Sequence, residues 1–158
     1  MLISLGLWCG EKEKKDSSII RVEALKIENG YVGEYYSSFV GYEENISELV
    51  AHITGINNEM LKDVPTCKEV LNQLKKFTDG FTVYARNGNF MNRFLMFYSK
   101  KFNEEVNLVV PTNYDKISET LNSPYIKGLL SIYNIEEERI EVLTYAKLLL
   151  KMKEEGIF

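Results

Sequence analysis

The chain has 158 residues, a hydrophobic share of 45% and a net charge of −4. That is enough apolar matter for one packed domain over residues 1–158 and too much for a disordered chain. The acidic balance argues against a strong general affinity for nucleic acid, and no apolar run reaches the ~20 residues of a membrane span.

Leu2 to Leu7 reads as a short buried strand, and the polar stretch Gly10 to Ser17 as a loop. The apolar start is followed rather than preceded by lysines, the reverse of a secretion signal, so a soluble cytoplasmic protein is expected. Ser18 to Glu28 and Tyr31 to Val40 are β-branched and aromatic, with Asn29-Gly30 between them. Both residues tolerate positive φ, so the two runs are expected to pair as an antiparallel hairpin. Ile46, Leu49, Val50 and Ile53 have helical spacing, interrupted by Thr54-Gly55-Ile56, and Asn57 to Leu61 reads as one further turn. Thr66 with Glu69 forms a capping box that starts a helix on the face Val70, Leu71, Leu74 and Phe77, stopped at Asp79-Gly80.

Phe81 to Ala85 reads as a strand, Asn87-Gly88-Asn89 as a turn and Phe90 to Phe102 as a helix. Leu108 to Val110 is a candidate fifth strand stopped by Pro111. Helices are expected around Asp115 to Leu121, Pro124 to Tyr133 (Ser123 as N-cap) and Glu136 to Lys153, where Glu136 to Glu138 would suit the dipole of a helix start. The order predicts an α/β fold with a mixed five-stranded sheet flanked by helices. Cys9 and Cys67 stand in unlike contexts without a Cys/His cluster and are expected as free thiols.

Three stretches carry a resemblance: the Asn-Gly hairpin; His52 to Leu61 with its Thr-Gly-Ile core, then Pro65-Thr66; and Val83 to Phe90 with Arg93-Phe94-Leu95. Together they resemble the DEDDh-type 3′–5′ exonucleases, the family of the proofreading epsilon subunit of bacterial DNA polymerase III, over roughly residues 2–152. The resemblance implies a ribonuclease-H-like fold. It also implies four carboxylates that hold two Mg²⁺ or Mn²⁺ ions, with a His as general base. Laid on this chain, the first pair of carboxylates falls on Leu5 and Leu7, beside Trp8. The next falls on Met91, and the last His and Asp fall on Ile140 and Tyr145. A slip of one residue gives Glu141 and Ala146.

The only Asp residues are Asp16, Asp63, Asp79 and Asp115, and the only His is His52, read as a helix-end residue. Glu11, Glu13 and Asp16 lie in a loop that would not fix two ions. No metal cofactor is expected. The expectation is therefore an exonuclease-like chain without catalytic residues, serving as a binding or accessory module related to replication or repair nucleases. Two alternatives are an exonuclease acting on single-stranded DNA or RNA with unconventional ligands, and a residual single-strand binder using Arg86, Arg93, Lys100 and Lys101.

The replacements are larger and more apolar than carboxylates, so the old cleft is expected to be filled and partly exposed. It would then bind a protein partner or a second copy of the chain, with weak or no nucleic-acid binding. Trp8, Thr54, Gly55, Ile56, Arg86, Asn87 and Phe90 are the candidate contact residues.

Overall fold

The computed structural model describes residues 1–10, 19–42, 44–103, 110–112 and 115–158. The acidic loop residues Glu11, Glu13 and Asp16 lie outside these. Strands β1 (Leu2–Cys9), β2 (Ile19–Glu28), β3 (Tyr31–Phe39) and β4 (Thr82–Ala85) form one sheet in the order β3-β2-β1-β4. The strand β1 is interior, antiparallel to β2 and parallel to β4, so the sheet is mixed as expected. At the β2–β3 turn Asn29 and Gly30 both have positive φ, 51° and 84°, the conformation a two-residue hairpin turn requires.

The sheet has four strands among the described residues rather than the five expected. Of Leu108 to Val110, only Val110 is described, and it is not a strand residue. The side chain of Asn92 takes up its backbone instead. Val110 N–H donates to Asn92 Oδ1 at 2.9 Å, and the Asn92 amide donates to the Val110 carbonyl. The Val110 peptide groups are thus met by a side chain rather than by a strand partner.

The helices among the described residues are α1 (Glu48–Thr54), α2 (Cys67–Thr78), α3 (Gly88–Phe102), α4 (Lys116–Asn122), α5 (Ile126–Ile132) and α6 (Glu141–Glu154), with a 3-10 turn at Asn58–Leu61. The Thr66/Glu69 capping box of α2 is formed in both directions. On α1 only Val50 is buried, while Leu49 and Ile53 are exposed. This short helix rests on a satellite cluster of Ile20, Ile46, Ile56 and Leu61, so the apolar stripe read from spacing is half used.

Helix α5 starts at Ile126, after a turn in which Ser123 Oγ accepts from Tyr125 N–H. Helix α6 starts at Glu141, not Glu136. Glu138 N–H donates to Thr144 Oγ1 at 2.8 Å, which holds the preceding segment against the helix as a loop. Glu136 to Glu138 are therefore not at the helix start; Glu137 and Glu138 pair with Lys127 and Lys147.

Side chains alternate across β1, as the pleat demands. Ile3, Leu5 and Leu7 enter the core under α2 and α3, with Val70, Leu74, Met91 and Phe94. Leu2 belongs to the opposite core, built by α4, α5 and α6.

Candidate functional site

The positions on which the family carboxylates were laid from the sequence divide between the two faces of the sheet. Leu5, Leu7 and Met91 share the α2/α3 core, where Leu5 is 1% and Met91 6% exposed. Tyr145, 6% exposed, belongs to the α6 core with Val142 and Leu148, and Ile140 packs at its margin as the α6 cap residue. The expected common floor, partly open to a partner, is thus not formed. Leu5, Met91 and Tyr145 are core residues, and only Leu7, Ile140 and Trp8 keep partial exposure. Apolar groups at these places gain by burial, about 25 cal/mol per Å² removed from water, and nothing draws them out.

The other face of β1 offers no carboxylates either. Ser4 is buried, and a Cβ on Gly6 would stand 2.9 Å from the Trp8 ring and 3.0 Å from Val142 of α6. Trp8 thus folds over Gly6, where only a glycine fits without displacement. The acid at this place is Glu23, which pairs with Gly6 across the β1–β2 ladder and is 1% exposed. Its Oε1 takes the Arg21 guanidinium and the Tyr35 hydroxyl, the latter at 2.7 Å. Arg21 in turn lies 5.4 Å from the Trp8 ring centre and 5.6 Å from that of Phe39. The sequence reading missed this cluster, because an acid inside an apolar strand carries no mark of burial. Glu23 Oε2 and Arg21 Nε have no hydrogen-bond partner among the described residues.

Beyond β4 the chain turns at Arg86 and Asn87. Arg86 Nη1 donates to the Tyr145 hydroxyl at 3.1 Å, and that hydroxyl donates to Glu141 Oε1 at 2.9 Å. Glu141 and Arg86 stand 4.0 Å apart. Burial, with the Glu141 carboxylate beside it, pushes the Tyr145 hydroxyl up to about 12. These three residues border a cleft of about 250 Å³ that also receives Lys127, Glu137 and Glu138. Charges of both signs meet there, so the cleft has no strong preference for a polyanion.

The other candidate contacts serve local structure. Thr54 Oγ1 donates to the Val50 carbonyl at 2.7 Å and accepts from Ile56 N–H at 3.1 Å, while Gly55 caps α1. Ile56 is 1% exposed, a core residue rather than a contact. Asn87 caps α3 by accepting from Phe90 N–H at 3.2 Å, and its own N–H donates to Asn122. Phe90 is half-buried against Phe94, with ring centres 5.7 Å apart. His52 is exposed in the last turn of α1. Arg86 remains half exposed at the cleft.

A mixed sheet with an interior first strand and helices on both faces defines an exonuclease-type α/β fold, and comparison with known proteins agrees. The nuclease domain of 3′hExo, described as a DEDDh family member bound to rAMP, superposes with a TM-score of 0.76 over 99% of this chain and 92% of its own, at 13% identity. E. coli exonuclease I in complex with a dT13 oligonucleotide gives 0.75 over 96% of this chain and 40% of its own, at 10% identity. In sequence, the PolC-type DNA polymerase III of Caldanaerobacter subterraneus subsp. tengcongensis is 29% identical over 157 residues, which cover 90% of this chain and 11% of that protein. The PolC-type enzyme of Staphylococcus aureus (strain bovine RF122) is 26% identical over 156 residues, 89% of this chain and 11% of that protein. The chain therefore spans about a tenth of the length of these polymerases. The family model for Exonuclease matches residues 8–149. The chain belongs to the exonuclease family of that model, and its fold is that of the DEDDh family member named above.

The ions that this family implies do not fit the residues present. A pair of hard dications needs about four carboxylate ligands, whereas Leu5, Leu7, Met91 and Tyr145 offer one phenol. Among the described residues no three His, Cys, Asp or Glu side chains stand together as a metal site.

Proposed function

We propose that this chain is a non-cleaving exonuclease-like module, related to DNA replication nucleases, whose role is to bind a partner. One observation carries the reading: Leu5 and Met91, at two of the carboxylate positions, are integral to the α2/α3 core. A third position, Tyr145, is tied to Arg86 and Glu141 by hydrogen bonds. Nuclease chemistry of this type needs an open cleft in which ions meet both the attacking water and the leaving oxygen. Here Leu5 and Met91 are packed in one core and Tyr145 in the other, and none of these side chains ligates a dication or moves a proton near neutral pH.

The test is metal-dependent trimming of a 3′-extended, 5′-labelled single strand, followed through successive purification columns. Unshortened strand in Mg²⁺ and in Mn²⁺ is the expected result. Trimming that co-elutes with the protein and disappears with EDTA would overturn the reading. Retention of the strand without shortening would support the single-strand-binding reading instead, for which the exposed Arg86 is the supporting residue.

A further inference from the structure

The outer face of α3 has a pattern that the core does not explain. Its solvent-facing positions are Asn89, Arg93, Met96, Phe97, Lys100 and Lys101, one continuous stripe along the helix. Met96 is 59% and Phe97 38% exposed at the centre of that stripe. Arg93 lies one turn before Phe97, and Lys100 one turn after Met96. The helix carries three cations and no acid. The charge is regional: from Thr66 to Asn103, across α2, β4 and α3, there are seven basic residues against Glu69 and Asp79, in a chain whose net charge is −4.

We propose that this face docks an acidic, amphipathic helical segment of a partner protein. An apolar centre inside a charged rim is the anatomy of a protein contact, since the centre is desolvated and the rim supplies register. Methionine adapts its shape to varied partners. The charge complement then fixes the partner's pattern. Arg93 and Lys100 are seven residues apart, about 10 Å along the axis. A partner helix meets them with acids at i and i+7 and apolar side chains at i+3 and i+4, which fall on Phe97 and Met96.

A single-stranded nucleic acid fits the stripe less well. Met96 has no ring to stack on, and Phe97 is already engaged edge-to-face with Tyr98, with centres 5.2 Å apart at 87°. The proposal rests on the binding role inferred above, but not on the cleft. Strand trimming would leave the α3 face to be judged by its own test.

That test is site-specific photocrosslinking in the source cell. Benzoylphenylalanine replaces Met96 in the full chain, with a replacement at the exposed Lys153 of α6, on the other side of the sheet, as the control. The expected adduct is a peptide of net negative charge with apolar residues between its acids. With the captured partner purified, the double variant Arg93→Glu/Lys100→Glu should weaken binding at least about tenfold, and less at high salt. Met96→Ser/Phe97→Ser should weaken it independently of salt, with the far-UV spectrum of each variant confirming a folded chain. Any of three results overturns the proposal: no Met96-specific adduct, an adduct to nucleic acid or to a neutral or basic peptide, or unchanged affinity in both folded variants.

Discussion

At Leu5, side-chain size and polarity decide the outcome. The residue is 1% exposed between Ala24 and Ala85 in the middle of the sheet. A carboxylate there has no cation to meet, and an uncompensated buried charge costs about 3–5 kcal/mol. Leu5→Asp should lower the unfolding free energy measured in urea by that much or leave the chain unfolded, while Leu5→Met stays within about 1.5 kcal/mol of wild type. Wild-type stability in Leu5→Asp would mean that the site is still open to water.

Tyr145 gives a pH test. Its folded value, about 12, lies above the ordinary tyrosine value of 10.0, chiefly through burial and then through Glu141. The neutral phenol is therefore favoured by folding. Its contribution is fully present below pH ~10 and is lost as pH rises towards ~12. Denaturation of wild type and Tyr145→Phe at stepped pH should give a stability difference that changes only in this window. A flat difference across it would show that burial and the Glu141 carboxylate do not favour the neutral hydroxyl.

Among the elements, those whose signals are local were legible in the sequence, and those that depend on distant partners were not. The Asn29-Gly30 hairpin and the Thr66/Glu69 box each need only a few adjacent residues, and both form as read. The start of α6 depends on Thr144 reaching back to Glu138, and the pairing of the Val110 peptide on Asn92 of α3. Neither contact leaves a pattern in its own segment. Helix α4 has a strong local signal: Asp115 accepts from Ile117 and Ser118 N–H at 3.0 and 2.9 Å, and from the buried Ser118 hydroxyl at 3.0 Å. Asp115→Ala should cost about 1–2 kcal/mol in urea denaturation, with Asp115→Asn recovering most of it. Equal loss in both variants would point to charge rather than capping.

Over the whole molecule, the fold could be read from motifs along the chain, because exonuclease-type topology follows from the order of its elements. The residues on which the family pattern falls were read from the sequence as an expectation. Their allocation was not: the pleat of β1 sends Leu5 and Leu7 to one core, while Tyr145 is built into the other. The Arg21–Glu23–Tyr35 cluster was equally hidden, since three strand residues meet there only through sheet register. No helix among the described residues is long and apolar enough to cross a membrane.

The central proposal, that the chain holds no pair of metal ions, has a direct test in linkage. An ion that binds only the folded chain raises its stability by RT ln(1 + [L]/Kd), about 2.7 kcal/mol at a hundredfold excess over Kd. The melting temperature should therefore be the same in millimolar Mn²⁺ as in a calcium-free, magnesium-free buffer of matched ionic strength. A saturable rise with Mn²⁺, reversed by EDTA, would contradict it.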